Sequence, residues 1–164
     1  MIKCYKVVTK KKVITAEVPE GKEIFVSAVA EERFQLIYIP NKKVSTKQLL
    51  PIMAKILPDV VKKYRIKYAY PLVFKELLDA LRFRNERKTD IVFECEATRL
   101  YPIDYILDYR NVSLQCRIYD LLRSIKNITD IDPELLKVFP APSGTCFAKE
   151  LILRKVVPLN GRNS

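Results

Sequence analysis

Apolar residues alternate with polar ones in some stretches of this chain and recur every three or four positions in others, and the two periods predict different elements. Ile2 to Thr9 and Val13 to Val18 are apolar, β-branched segments separated by Lys10, Lys11 and Lys12, which predicts a hairpin with a lysine tip. Pro19, Glu20 and Gly21 follow as a turn. Ile24 to Val29 and Arg33 to Ile39 then predict two more strands, the second stopped by Pro40 and Asn41. The first forty residues thus read as a four-stranded antiparallel meander.

Beyond them the period lengthens. Ser45 and Gln48 stand at capping-box spacing, and Leu49, Ile52, Met53, Ile56, Leu57, Val60 and Val61 recur at helical intervals behind them. Pro58 should kink or divide that helix, because proline lacks the backbone donor and clashes one turn back. Leu72, Phe74, Leu77, Leu78 and Leu81 form a second helical stripe after Pro71, with Arg82, Arg84, Arg87 and Lys88 at its C-terminal end, where cations suit the helix dipole. Thr89 to Ala97 returns to a period of two: Ile91, Phe93, Cys95 and Ala97 share one face, and Asp90, Val92, Glu94 and Glu96 the other.

The remainder predicts a short helix around Pro102 carrying Tyr101, Tyr105 and Tyr109, and a stronger one through Leu114, Ile118, Leu121, Leu122 and Ile125. Asp132, Pro133 and Glu134 open another short helix, Phe147 to Val157 is a last strand, and Asn160 to Ser164 is a frayed tail. The expected class is α+β, with an antiparallel or mixed sheet of about five or six strands packed by about three to five helices. A chain of 164 residues fits one domain, β-rich over about 1–40 and mixed over about 45–158.

Composition narrows the class. Hydrophobic residues make up 49% of the chain and Gly only 3 positions, enough apolar surface to fill a core. No apolar run is long enough to cross a bilayer as a helix, and Met1 to Lys12 lacks the apolar stretch of a signal peptide, so an intracellular protein is expected. The absence of His removes Cys2His2 zinc sites, Ser-His-Asp triads and imidazole acid-base catalysis. Cys4, Cys95, Cys116 and Cys146 are isolated, without the paired spacing of a zinc knuckle, and read as buried thiols. The lack of Trp and the abundance of Lys, Glu, Ile and Tyr fit a hot or AT-rich source. No cofactor motif is present, and Ser143-Gly144-Thr145-Cys146 lacks the lysine of a phosphate loop and reads as a turn.

Charge changes the picture most. The 30 basic and 19 acidic residues give a net charge of +11, which attracts polyanions. The excess is concentrated in the first hundred residues, in Lys10 to Lys12, in Lys62, Lys63, Arg65 and Lys67, and in Arg82, Arg84, Arg87 and Lys88. The middle cluster is interleaved with Tyr64, Ile66, Tyr68 and Tyr70. If extended, it would place cations on one side and rings on the other. Cations pair with phosphates and rings stack on bases, the chemistry of single-stranded or distorted nucleic acid. The competing reading places the tyrosines in the core and the cations on a solvated face.

A second constellation comprises Asp90, Glu94 and Glu96 on one strand face, with Glu76 in a helix before it and Gln115 in one after it. Carboxylates at such spacing can share Mg2+. The order of Glu76, Asp90, Glu94-Cys95-Glu96 and Gln115 resembles the PD-(D/E)xK nuclease core, over about residues 76 to 115. The resemblance implies metal-dependent cleavage with Asp90, Glu94 and Glu96 as candidate catalytic residues, although Glu96 stands where that pattern has its lysine. Without that resemblance, the carboxylates are a solvated strand face paired with Arg and Lys.

The leading expectation is an accessory protein, not an enzyme, that binds nucleic acid electrostatically through Lys62, Lys63, Arg65, Lys67, Arg82, Arg84, Arg87 and Lys88, with Tyr64 and Tyr68 as stacking rings. It needs no cofactor or membrane. The alternatives are the Mg2+-dependent nuclease and an interaction module whose charge is incidental.

Overall fold

The computed structural model describes residues 1–11, 23–27, 37–45, 50–51, 54–55, 58–67, 70–85, 90–107 and 138–159. Within them run β1 (Ile2–Lys11), β2 (Ile24–Ser27), β3 (Val44–Ser45), α1 (Pro58–Lys63), β4 (Leu72–Phe74), α2 (Leu77–Asn85), β5 (Ile91–Ala97), β6 (Leu100–Pro102), β7 (Tyr105–Leu107), β8 (Val138–Pro140), β9 (Thr145–Ala148) and β10 (Glu150–Val156). Eight strands form one antiparallel sheet, while β7 and β8 pair separately.

The long strand β1 organises the sheet. One edge pairs with β5 from Ile2↔Ala97 to Val8↔Ile91; the other meets β4 at Tyr5↔Phe74 and β2 from Val8↔Ser27 to Lys11↔Ile24. β5 also pairs with β10, and β9 pairs with both β4 and β6. The registers Ala97↔Leu151 and Leu100↔Ala148 are continuous across the bend, where Thr98 N–H donates to Glu150 O (3.3 Å) and Lys149 N–H to Arg99 O (3.1 Å). β5–β6 and β9–β10 are therefore two bent ribbons lying side by side. The sheet order is β3-β10-β5-β1-β4-β9-β6, with β2 also on β1, and the chain links β9 to β10 through Lys149.

That core holds Cys4, Val8, Phe25, Tyr38, Leu72, Phe74, Phe93, Cys95, Phe147, Leu151 and Leu153. Phe147 stacks between Tyr70 and Tyr101, with ring centroids 5.3 and 4.8 Å away, and Phe25 meets Phe93 edge-on at 4.9 Å, arrangements that aromatic quadrupoles favour. Lys6 is buried with them at 0% exposure. Its Nζ donates to Ser27 Oγ at 3.0 Å and Leu72 O at 2.6 Å and lies 4.7 Å from the centre of the Tyr38 ring. The hydrogen bonds and the ring face offset part of the cost of taking an ammonium out of water.

The fold is mostly β, and α+β only in a loose sense: the described residues hold more strands and fewer helices than the periodicity predicts. Leu72 to Phe74 is the clearest departure. These residues belong to β4, inserted between β1 and β9 and buried throughout, and the helix of that stripe begins only at Leu77. A short apolar run buried on both faces has no period to separate strand from helix. The helix expected around Pro102 is replaced by β6 and β7, with Pro102 exposed at the end of a strand that, among the described residues, pairs with β9 alone, a position proline tolerates. Ser45 lies on β3, opposite Glu150, rather than at a helix start. The last strand is divided at Lys149 into β9 and β10. In the meander, β1 takes β2 directly as its neighbour, and Tyr38 bridges Phe25. Residues 13–18 and 33–36, the helix expected at 114–125 and the one starting at Asp132 lie outside the described residues.

Candidate nucleic-acid interface

Helix α1 starts at Pro58, where a missing N–H costs nothing, carries Asp59 in its first turn and ends on Lys62 and Lys63, in keeping with its dipole. Arg65 then takes a left-handed conformation (φ 51°). Tyr64 N–H donates to Val60 O at 3.0 Å and Ile66 N–H to Val61 O at 3.1 Å. The latter is the six-to-one bond of a Schellman cap, and Ile66 at C″ packs on the same core as Val61 at C3. Glycine usually holds the left-handed position; here it is an arginine.

Past the cap, burial alternates. Tyr64, Ile66 and Tyr70 are buried, whereas Arg65 and Lys67 are exposed, as are Lys62 and Lys63 on the helix. The buried side chains anchor the segment and leave its cations facing solvent. Lys63 Nζ lies 5.6 Å from the centre of the Tyr64 ring, within cation-π range. No described carboxylate pairs with Lys62, Arg65 or Lys67. With 2% exposure Tyr64 belongs to the core and has no free face for a base; Tyr68 lies outside the described residues.

The second basic cluster is split by helix geometry, because residues two apart on a helix point to different sides. Arg82 is exposed, whereas Arg84 is 5% exposed and donates from Nε to Asp90 O at 3.1 Å, tying α2 to the start of β5. Arg87 and Lys88 lie outside the described residues.

The three carboxylates of the strand face do not converge. Asp90 is buried, and its Oδ1 accepts from Thr9 Oγ1 at 2.8 Å. Glu94 lies between β1 and β10 and pairs with Lys3 at 3.3 Å and Lys155 at 3.5 Å. Glu96 pairs with Arg154 at 3.3 Å, and Arg154 also reaches Asn41 Oδ1 at 3.2 Å. Desolvation pushes the Glu94 carboxyl up, but the hydrogen bond from Lys3 and the charges of both lysines outweigh it and hold its pKa below the ordinary value. Glu76 precedes α2, its carbonyl accepting the Ala80 N–H; Gln115 lies outside the described residues. Among the described residues no group of three or more His, Cys, Asp or Glu side chains is placed to hold a metal ion.

Cys4, Cys95 and Cys146 are buried, and Cys4 and Cys95 are direct partners across β1 and β5. Burial, then the neighbouring Cys4 thiol, pushes the Cys95 thiol well above its ordinary value, and burial likewise raises Cys146. Such thiols are poor nucleophiles.

Sequence reasoning missed a cleft of about 330 Å³ between α2 and the turn at Pro140 to Ser143, lined on the helix side by Asp79, Arg82 and Phe83. Ala141 N–H donates to Asp104 O at 2.8 Å, Thr145 N–H to Pro142 O at 3.1 Å, and Gly144 has φ +80°. A Cβ on Gly144 would lie 2.1 Å from Asp79 Oδ2, so the carboxylate occupies space that only glycine leaves. The single local signal was Gly144 in a Ser-Gly turn; the partner comes from 65 residues earlier in the chain. Among the described residues no helix is long and apolar enough to cross a membrane. Comparison of the chain with protein-family models, curated proteins and solved structures gives no match.

Proposed function

We propose that this protein binds nucleic acid electrostatically and with little sequence preference, as an accessory protein, and that Lys62, Lys63, Arg65 and Lys67 form the centre of its contact surface. The observation that carries this reading is the segment from Lys62 to Lys67, where the cations occupy exposed positions and the buried side chains of Tyr64 and Ile66 hold its backbone in place. A backbone already held in place loses little further entropy on meeting a phosphate backbone, and each phosphate neutralised releases counterions. The net charge of +11 adds long-range attraction. Arg82 extends the basic surface on α2, whereas Arg84 has a structural role. The nuclease alternative draws no support from the strand face, since Glu94 and Glu96 are engaged by cations and Asp90 by Thr9.

The test is retention of labelled single-stranded and duplex oligonucleotides across a salt series, with and without Mg2+. Affinity should fall by about 0.9 log units per log unit of salt for each duplex phosphate contacted. Replacing Lys62, Arg65 and Lys67 together by Ala should lower that slope by as much as about 2.7, three contacts' worth, without unfolding the protein. No retention at low salt, or retention unaffected by the triple replacement, refutes the reading; Mg2+-dependent cleavage replaces it with the nuclease.

A further inference from the structure

Asp79 and Arg82 stand three residues apart on α2 and both line the cleft, yet neither is committed to the other. No described residue hydrogen-bonds or ion-pairs with either side chain. At this spacing a carboxylate and a guanidinium ordinarily have the reach to pair. Asp79 is instead turned against Gly144, half-buried, with Oδ2 nearest the turn, and its side chain is among those that line the cleft. The opposite wall is stiff: two prolines, a carbonyl that accepts from Thr145, and the Ala141 N–H bound to Asp104 O. Phe83 closes one side with a half-buried ring, steadied by Phe74 at a centroid distance of 5.5 Å.

The occupant must therefore present hydrogen-bond donors to Asp79, a flat apolar face to Phe83 and the prolines, and an anion to Arg82. A nucleotide combines all three, and about 330 Å³ falls at the small end of the range for ligand sites, suited to one nucleotide and not to a duplex. Among the bases, guanine alone offers two adjacent donors, N1–H and N2–H, that can converge on a carboxylate. Adenine and cytosine each set one amino donor beside a ring acceptor that a carboxylate repels, and thymine or uracil sets one N–H between two carbonyls.

We infer that this cleft takes a single unpaired guanine nucleotide of a bound strand, its Watson–Crick edge on Asp79, its ring against Phe83 and its phosphate on Arg82. The inference rests on the nucleic-acid reading and adds to it a base preference that the basic segment at Lys62 to Lys67 does not supply.

The experiment measures fluorescence anisotropy of end-labelled thymidine decamers at fixed low salt, one all-thymidine and the others with a single central guanine, adenine or cytosine. The unmodified protein should bind the guanine decamer about tenfold more tightly than the all-thymidine strand, as one bidentate base contact does elsewhere. Adenine and cytosine should bring little gain. Asp79→Asn, nearly isosteric, should reduce the guanine-to-thymidine ratio to near one while all-thymidine binding persists. Arg82→Ala should weaken the guanine decamer more than the all-thymidine strand. Equal binding of all four decamers by the unmodified protein overturns the cleft assignment and leaves the electrostatic reading standing. Binding of none removes both. A guanine preference that survives in folded Asp79→Asn also overturns the assignment.

Discussion

Gly144→Ala tests the packing of the cleft wall most directly. Two costs add. An L-residue in the left-handed region, at φ +80°, costs about 1–2 kcal/mol relative to its preferred conformations. The new methyl would also lie 2.1 Å from Asp79 Oδ2, 2.4 Å from its Cγ and 2.8 Å from its Cβ. Rotating the Asp79 side chain clears the first two contacts but not the third, because Cβ moves only with the backbone of α2. Overpacking of this kind costs about 1–3 kcal/mol. The lower entropy of an unfolded chain with Ala in place of Gly returns about 0.4–1 kcal/mol. The net loss should be about 1–4.5 kcal/mol, read as a lower urea midpoint at unchanged m-value. In an Asp79→Ala background two of the three overlaps vanish, so the same replacement should cost at least about 1 kcal/mol less. A Gly144→Ala loss below about 0.5 kcal/mol, or equal losses in the two backgrounds, refutes the contact between the turn and the helix.

Three further outcomes are expected. Lys6→Met keeps the stem but withdraws the ammonium from Ser27 Oγ and Leu72 O, and should cost about 1–3 kcal/mol in the same urea assay; unchanged stability would mean that the buried charge contributes no net stabilisation. The Glu94 carboxyl has a lowered pKa in the fold, so its stabilisation is present above the unfolded value and is lost as pH falls through the folded one. Glu94→Gln should therefore flatten the fall in melting temperature between about pH 6 and about pH 3, and added salt should flatten it in the parent; a steeper fall contradicts the ion pairs with Lys3 and Lys155. Arg65→Gly relieves the left-handed backbone at φ 51°, so the melting temperature should hold or rise by the equivalent of up to about 1 kcal/mol while oligonucleotide retention weakens. A loss of stability with unchanged retention would make Arg65 a structural residue only.

The period-two stretches carried their own assignment. Ile91 to Ala97 is β in the structure, because alternation puts a whole face of a strand in the core whatever its neighbours are, and the β-branched run Ile2 to Thr9 and the run beginning at Phe147 are β as well. The interleaving of cations and tyrosines around Tyr64 was equally local: it set which side chains face inward, and Tyr64 and Tyr70 went to the core. Glu94 and Glu96 were legible as a strand face, though not the cations that hold them, since Lys3, Arg154 and Lys155 arrive from β1 and β10.

What needed the tertiary structure was everything set by a neighbour distant in sequence. Leu72 to Phe74 became a strand only because β1 and β9 leave a place between them that satisfies its backbone and buries both of its faces. Alternation puts Lys6 on the same face as Cys4 and Val8, yet an ammonium can lie there only once Ser27, Leu72 and Tyr38 surround it. Arg82 and Arg84 look alike in sequence and are separated by the turn of α2, one reaching solvent and the other the Asp90 carbonyl. The cleft is the extreme case. Asp79 and Gly144 lie 65 positions apart, and hydrophobic periodicity reports which side of an element is buried but not which element comes to lie against it.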